Sequence, residues 1–187
     1  VQTCALPILF RMGVLHILAG HSGPETAADA RTHFGIFSPQ VWKLFPRNQT
    51  IHLSFWDYND VAPGYFAAAE IAAREQKVGI ISIEVARPDF PVADRSKFAD
   101  TDLMAAAKGF YVIRDFAPGP RHGYVVTQGS SSTVNLMSAL PKLEAAGINV
   151  KVIAAISEEL FDRQPESYRN SVLPPEAYFD QIGRAHV

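Results

Sequence analysis

Three polar side chains stand close together in one short irregular stretch of the chain, H-S-G-P-E-T-A-A-D-A-R-T-H. It begins at His21, ends at His33 and contains Asp29. Imidazole titrates near neutral pH and a carboxylate accepts hydrogen bonds, so these are side chains that bind polar ligands. An apolar run over residues 14–19 precedes them and indicates a buried strand, and α/β proteins place binding groups where such strands end. The alternative interpretation is a turn with surface polar residues.

A cation follows a second apolar run. Arg87 stands in A-R-P-D-F-P, just after Val78–Val85, which is apolar on both phases as a central parallel strand would be. A guanidinium at the carboxyl edge of a parallel sheet is well placed for a phosphate, because its planar fork matches phosphate oxygens. The alternative is a surface arginine paired with Asp89 or Asp94. Pro88 restricts Arg87 to extended backbone.

A third candidate is the stretch G-S-S-S-T at 129–133. Free N–H groups and hydroxyls at a helix N-terminus can bind an anion. This stretch lacks the lysine of a phosphate-binding P-loop, so a plain helix cap is the favoured interpretation.

The elements that would position these residues alternate between strand and helix. We predict a strand at Ile51–Phe55 with His52 on its solvated side, and an alanine-rich helix over Tyr65–Ala73. Asn59 or Asp60 would cap that helix, with Pro63 in its first turn. The order strand, helix, strand indicates a parallel α/β sheet.

After a polar linker, the sequence predicts a second unit. The expected short helix covers residues 103–108. The expected strands cover 109–115, 124–127 and 150–156, and a longer helix that begins at Ser131 or Ser132 and contains Pro141 lies between the last two strands. Gly147 is the expected stop of the longer helix. The predicted fold class is α/β, with two consecutive doubly wound, mostly parallel-sheet units of three αβα layers, truncated at both ends.

Composition limits the function classes. The chain has 187 residues, 48% apolar residues and a net charge of -2. Without a basic excess we expect no nucleic-acid partner and no anionic membrane partner, and no apolar run approaches the roughly 20 residues of a membrane span. The single cysteine, Cys4, fits a cytoplasmic protein without disulfides.

The two ends of the chain can be encoded by complementary strands of one DNA sequence. Gly183–Val187 can be coded GGA AGA GCA CAC GTC, and the opposite strand, read one base in, encodes Thr3–Pro7. We therefore interpret residues 1–8 and 182–187 as a sequencing-adapter scar and the chain as an internal piece of a longer gene.

The polar segment resembles the substrate loop of transketolase, H-D-S-I-G-x-G-E-D-G-P-T-H, with His21, Asp29 and Thr32–His33 at matching offsets. The Gly-Pro pair comes earlier here, and Ala30–Arg31 fills its family place. Ala86–Arg87–Pro88 stands where the family has S-R-Q.

The second unit resembles the same family more closely. Y-V-V-T-Q-G-S-S-S-T resembles its v-l-i-a-T-G-S-E, and A-G-I-N-V-K-V-I resembles its A-E-G-I-x-V-R-V-V. E-L-F-D-R-Q, Y-R and S-V-L-P follow in the family's order S-W-E-L-F-D-x-Q, Y-R, S-V-L-P. The resemblance covers about residues 14–180 and implies a partial pyrimidine-binding domain over 9–100, a linker with the first strand over 101–120, and a partial C-terminal domain over 121–181.

By this resemblance the intact enzyme would transfer a two-carbon ketol unit between a ketose phosphate and an aldose phosphate. His21 and Arg87 would bind the sugar phosphate, Asp29 would accept a hydrogen bond from a sugar hydroxyl, and the catalytic residue His33 would exchange or stabilise a proton near the reacting carbons. Thiamine diphosphate and a divalent metal (Mg or Ca) would be the cofactors of a homodimer. The glutamate that activates the cofactor and the diphosphate-binding domain lie upstream in the family, so we expect this fragment to hold no cofactor or metal and to be inactive alone.

Three alternatives stay open. One is another thiamine diphosphate enzyme, either a deoxyxylulose phosphate synthase or the beta chain of a 2-oxo acid dehydrogenase. Another is a split transketolase whose second half is a separate subunit. The last is a non-catalytic homologue with the same fold.

Overall fold

The computed structural model describes residues 16–20, 44–46, 48–75, 77–85, 89–175 and 177. In the first half of the chain, three parallel strands form a sheet in the order β1-β3-β2 beside one long helix. These elements are β1 (His16–Gly20), β2 (Thr50–Ser54), α1 (Tyr58–Glu75) and β3 (Ile80–Glu84).

The apolar phase of the strands builds the core of this first sheet. Ile51, Leu53 and Ile81 are fully buried and belong to one hydrophobic cluster. The buried side of α1 includes the small residues Gly64, Ala68 and Ala72. A Cβ on Gly64 would lie 2.6 Å from a ring carbon of Phe55, so glycine at this position lets the helix and the strand end approach closely.

The second half forms a mixed sheet in the order β4-β6-β5, in which β4 runs antiparallel to β6 and β5 parallel to it. Its strands and helices are β4 (Phe110–Arg114), β5 (Gly123–Thr127), α2 (Ser130–Ala145), β6 (Val150–Ala155), α3 (Glu158–Asp162) and α4 (Glu166–Val172). Short 3-10 turns at Arg95–Lys97 and Ala105–Lys108 lie between the two sheets in the chain. The predicted α/β fold class is confirmed.

Helix α2 ends as its sequence predicts. Gly147 has a φ of 72°, and its N–H donates to the Glu144 carbonyl at 2.9 Å. The Ile148 N–H reaches back to the Leu143 carbonyl at 2.9 Å. These two bonds form a Schellman motif, in which glycine adopts the left-handed conformation at the lowest cost.

The two sheets meet at the outer edge of β2. The Ser54 N–H donates to the Ile156 carbonyl at 2.8 Å, and the His52 N–H donates to the Glu159 carboxylate at 3.3 Å. The second half of the chain thus satisfies donors that an open sheet edge would leave to solvent. Arg163 adds a two-bond pair to Glu75 at the end of α1, with N···O distances of 3.0 and 2.9 Å.

Two details of the first half differ from the sequence expectation. Helix α1 begins at Tyr58, so Asn59, Asp60 and Pro63 lie inside it, and neither polar residue serves as the cap in front of it. His52 is buried, with 8% of its surface exposed, and is not a solvated surface residue. Among the described residues, no helix combines the length and the apolar character needed to cross a bilayer.

Candidate functional site

The carboxyl ends of the three first-sheet strands lie in one row. Gly20 at the end of β1 and Ser54 at the end of β2 are both in register with Glu84 at the end of β3. His21 directly follows β1, and Arg87 comes three residues after β3. Since β1 and β3 are neighbours and parallel, both segments start from the same edge of one sheet.

The predicted site side chains themselves, His21, Asp29, His33 and Arg87, lie outside the described residues. The same is true of Cys4 and of both proposed scar segments. The roles assigned to these residues therefore stay predictions.

A cleft opens at this carboxyl edge, between the first sheet and the start of α2. Its walls come from the segment after β2, the segment after β3 and the first residue of α2: Phe55, Trp56, Asp57, Tyr58, Val61, Val85, Phe90, Pro91 and Ser130. The walls are mostly aromatic and apolar, with Asp57 and Ser130 as polar members. Such a surface packs against rings or chain carbons, and it borders the row of strand ends.

Asp57 fixes the segment after β3, which forms one wall of this cleft. Its carboxylate accepts hydrogen bonds from the Ala93 N–H at 3.1 Å and from the Asn59 amide at 2.9 Å. The Asn59 amide also donates to the Ala93 carbonyl at 3.3 Å. The segment after β3 is thereby attached to the first turn of α1, and Asp57 acts as a structural anchor.

A buried polar cluster lies behind Asp57, built from Asp60, Arg95, Tyr111 and Trp56. Arg95 donates to the Asp60 carboxylate and, at 3.2 Å, to the Tyr111 hydroxyl. Tyr111 contacts both Asp60 oxygens at 3.2 Å and accepts the Trp56 indole N–H at 2.7 Å. The cluster joins α1, the linker turn and the second sheet, and every member is at most 5% exposed.

Burial dominates the electrostatics of this cluster. It raises the pKa of Asp60 to about 7, although the adjacent Arg95 guanidinium acts in the opposite direction. Burial and the Asp60 carboxylate likewise raise the pKa of the Tyr111 phenol. No pattern in the sequence predicted this cluster. Its only signal was a carboxylate one turn before an alanine-rich helix face, and its partners stand 35 and 51 residues away.

His52 and Glu84 form a second buried pair on neighbouring strands. The imidazole Nε2 lies 3.5 Å from a Glu84 oxygen, and both side chains are 10% exposed. Neither imidazole nitrogen has a hydrogen-bond partner within the described part of the chain. The pair is a polar contact between neighbouring strands and identifies no ligand by itself.

The stretch at 129–133 is used internally. Gly129 is the N-cap residue of α2, and the Thr133 hydroxyl donates back to its carbonyl at 2.8 Å. That hydroxyl also lies 2.9 Å from the Thr127 hydroxyl. Within the described ranges, no group of three or more His, Cys, Asp or Glu side chains could hold a metal ion.

A family model matches the second half of the chain. Residues 109–180 match the family model of the transketolase-like TK C-terminal domain. The motif residues that carried the resemblance are packed: Phe161 stacks on Phe110 at 4.4 Å, and the Tyr168 hydroxyl donates to the Phe110 carbonyl at 2.8 Å.

Most of the chain is similar to transketolases. It is 32% identical over 167 residues to the plasmid transketolase of Cupriavidus necator, covering 89% of this chain and 23% of that protein. With the Aquifex aeolicus transketolase it shares 38% identity over 158 residues, covering 83% and 21%. The resemblance to transketolase is confirmed, and the chain spans only 21–23% of the length of these relatives.

Solved structures agree on the fold. A Pichia stipitis transketolase variant superposes with a TM-score of 0.65 at 24% identity, over 84% of this chain and 21% of that one. A complex of the Pichia stipitis enzyme with sedoheptulose 7-phosphate gives a TM-score of 0.63 at 23% identity, over 83% and 21%.

Proposed function

We propose that the chain is a fragment of a transketolase-type enzyme, which transfers a two-carbon ketol unit between a ketose phosphate and an aldose phosphate. The observation that carries the proposal is the sequence similarity to transketolases over 89% of the chain. The register of β1 with β3 supports it, because the two segments that hold His21 and Arg87 begin side by side.

The proposal gives each predicted residue one task. Arg87 and His21 bind the phosphate end of the sugar, as a guanidinium and an imidazole can. Asp29 accepts a hydrogen bond from a sugar hydroxyl, and His33 stabilises or exchanges a proton near the reacting carbons. The cleft beside Trp56 and Asp57 forms the neighbouring wall.

Thiamine diphosphate with a divalent metal is the proposed cofactor of the intact enzyme, as the transketolase relatives imply. When bound it supplies the carbanion stabilisation that ketol transfer requires. The described residues offer no ligand set for that metal, so no step of this chain is assigned through it. We also propose a cytoplasmic homodimer, with domain limits at 9–100, 101–120 and 121–181.

The deciding experiment uses the parent gene, recovered with its flanking sequence. The intact protein should consume ketose phosphate only when thiamine diphosphate and metal are present. His33→Ala should lower kcat by about 10²- to 10⁴-fold. Arg87→Gln should raise KM for the phosphorylated ketose by roughly 10- to 100-fold, because one charge-assisted contact is lost.

Arg74→Gln is the matched control, since that arginine is 67% exposed at the end of α1 and forms an ion pair with Glu70 on its own helix. It should leave both constants unchanged. An intact protein without activity on any ketose phosphate would refute the proposal. Micromolar thiamine diphosphate binding by the 187-residue chain in calorimetry would refute the expectation that this fragment holds no cofactor.

A further inference from the structure

A polar cleft lies at the end of the second sheet that is remote from the carboxyl ends of the first-sheet strands. It opens where β4 ends and where β5 and β6 begin, and α4 closes one side of it. Its lining residues are Asp115, Phe116, Arg121, Tyr124, Lys151, Asn170, Ser171 and Pro174, and its volume is about 250 Å³. The transketolase resemblance assigned no role to this cleft.

Lys151 is a buried charge that its neighbours only partly compensate. Its side chain is 7% exposed, and its ammonium donates to the Ser171 carbonyl at 2.6 Å. Its carboxylate partner, Asp115, is 3.8 Å away and 60% exposed. An ammonium has three donors, and a buried cation whose carboxylate partner is 3.8 Å away and mostly exposed is only partly compensated, so Lys151 favours a further anion in the cleft.

Arg121 brings a second cation to the rim. It is exposed, and its guanidinium lies over the Phe116 ring at 4.9 Å from the centroid. Within the described part of the chain it has no carboxylate partner. Stacking on the ring holds the planar fork in one orientation, which suits the oxygens of a phosphate.

We propose that this cleft binds a small phosphate-bearing anion between Arg121 and Lys151. Two cations against one carboxylate leave the cleft positive, and the exposed Asn170 side chain adds a neutral donor beside them. The Phe116 and Tyr124 rings meet edge to face, with centroids 5.2 Å apart, and offer an apolar wall to the organic part of the phosphate-bearing ligand. The site is separate from the proposed sugar phosphate site and does not depend on it.

The test is a titration of the ¹⁵N-labelled 187-residue chain with inorganic phosphate at constant ionic strength. The amides of Tyr124, Lys151, Asn170 and Ser171 should shift together and saturate, with a dissociation constant of about 1 mM. Arg121→Gln should weaken the binding at least roughly tenfold, because it removes one charge-assisted contact from an exposed side chain without touching the core.

Two controls locate the anion. Arg74→Gln removes an equal charge elsewhere on the surface, and Arg87→Gln removes the proposed substrate arginine; neither should change the affinity at the cleft. Equal affinity in Arg121→Gln and the unmodified chain, or shifts that never saturate, would overturn the proposal. Loss of binding in Arg87→Gln alone would also overturn it, while supporting the separate sugar phosphate site.

Discussion

The side chain of Asp60 is strongly affected by its surroundings. Its carboxylate is inaccessible to solvent and is compensated by the Arg95 guanidinium and the Tyr111 hydroxyl. Removing a carboxylate from water favours its neutral form, and here that effect exceeds the attraction of the cation. Ionisation of Asp60 should therefore couple to the attachment of the linker.

This coupling predicts a pH dependence of stability. Folding raises the pKa of Asp60 from 3.8 to about 7, so its proton stabilises the native state fully below pH 3.8, and this contribution is lost as pH rises through about 7. We expect the free energy of unfolding of the native chain to fall by roughly 1–3 kcal/mol relative to Asp60→Asn over that range. Urea unfolding followed by circular dichroism at several pH values measures the difference.

Asp162→Asn is the control for this experiment, because Asp162 is exposed at the end of α3. It should give a curve parallel to that of the unmodified chain. If Asp60→Asn also runs parallel to the unmodified chain between pH 4 and 8, the raised pKa is wrong.

At the scale of single elements, Gly109 sets the distance between β4 and α3. Its φ is 87°, and a Cβ there would lie 2.4 Å from the Phe161 nitrogen and 2.4 Å from the Ser157 oxygen. Its carbonyl accepts the Ile156 N–H at 2.8 Å. The short distances are to backbone atoms, which cannot rotate away, so any side chain at this position must move a helix.

Gly109→Ala should therefore lower the free energy of unfolding by about 2–4 kcal/mol, from backbone strain and overpacking together. Gly147→Ala is the matched control: its φ is 72°, but no atom lies within 4 Å of the added Cβ, so strain alone should cost about 1 kcal/mol. Chemical denaturation of both variants measures the costs. Equal losses would contradict the role assigned to the close backbone contact.

The elements show what local patterns can predict. Apolar periodicity located β2, β3, β5 and β6, and one glycine located the end of α2, because these signals lie within a few residues. The polar phase of β2 was misread at His52, since alternation separates two faces without telling which one is covered. The beginning of α1 was missed because Asp60 is paired with Arg95, a contact that no local pattern contains.

The candidate site likewise has features that the sequence could predict and features that it could not. The row of strand ends follows from parallel pairing, which strand order alone could predict, and the register of Gly20 with Glu84 agrees with it. The cleft wall at Asp57 depends on Ala93, 36 residues away, and on a start of α2 that belongs to the other sheet. Such contacts arise from tertiary packing and leave no spacing in the sequence.

For the molecule as a whole, the two sheets share one hydrophobic core. The largest buried cluster includes Ile51 and Leu53 from the first sheet together with Val152, Ile156 and Leu160 from the second half. The β2 edge bonds and the pair of Arg163 with Glu75 add polar contacts across the same boundary. A core shared in this way predicts that the two halves unfold together.

Leu160→Ala tests this prediction. Leu160 is fully buried in the shared cluster, so its truncation should lower the free energy of unfolding by about 2–5 kcal/mol. In ¹⁵N-labelled protein, the native amide signal of Ile81 reports on the first sheet and that of Val152 reports on the second as urea is added. Both midpoints should shift equally toward lower urea, and Leu103→Ala, at an exposed position, should move neither. An Ile81 midpoint that stays in place while the Val152 midpoint falls would show that the halves unfold independently.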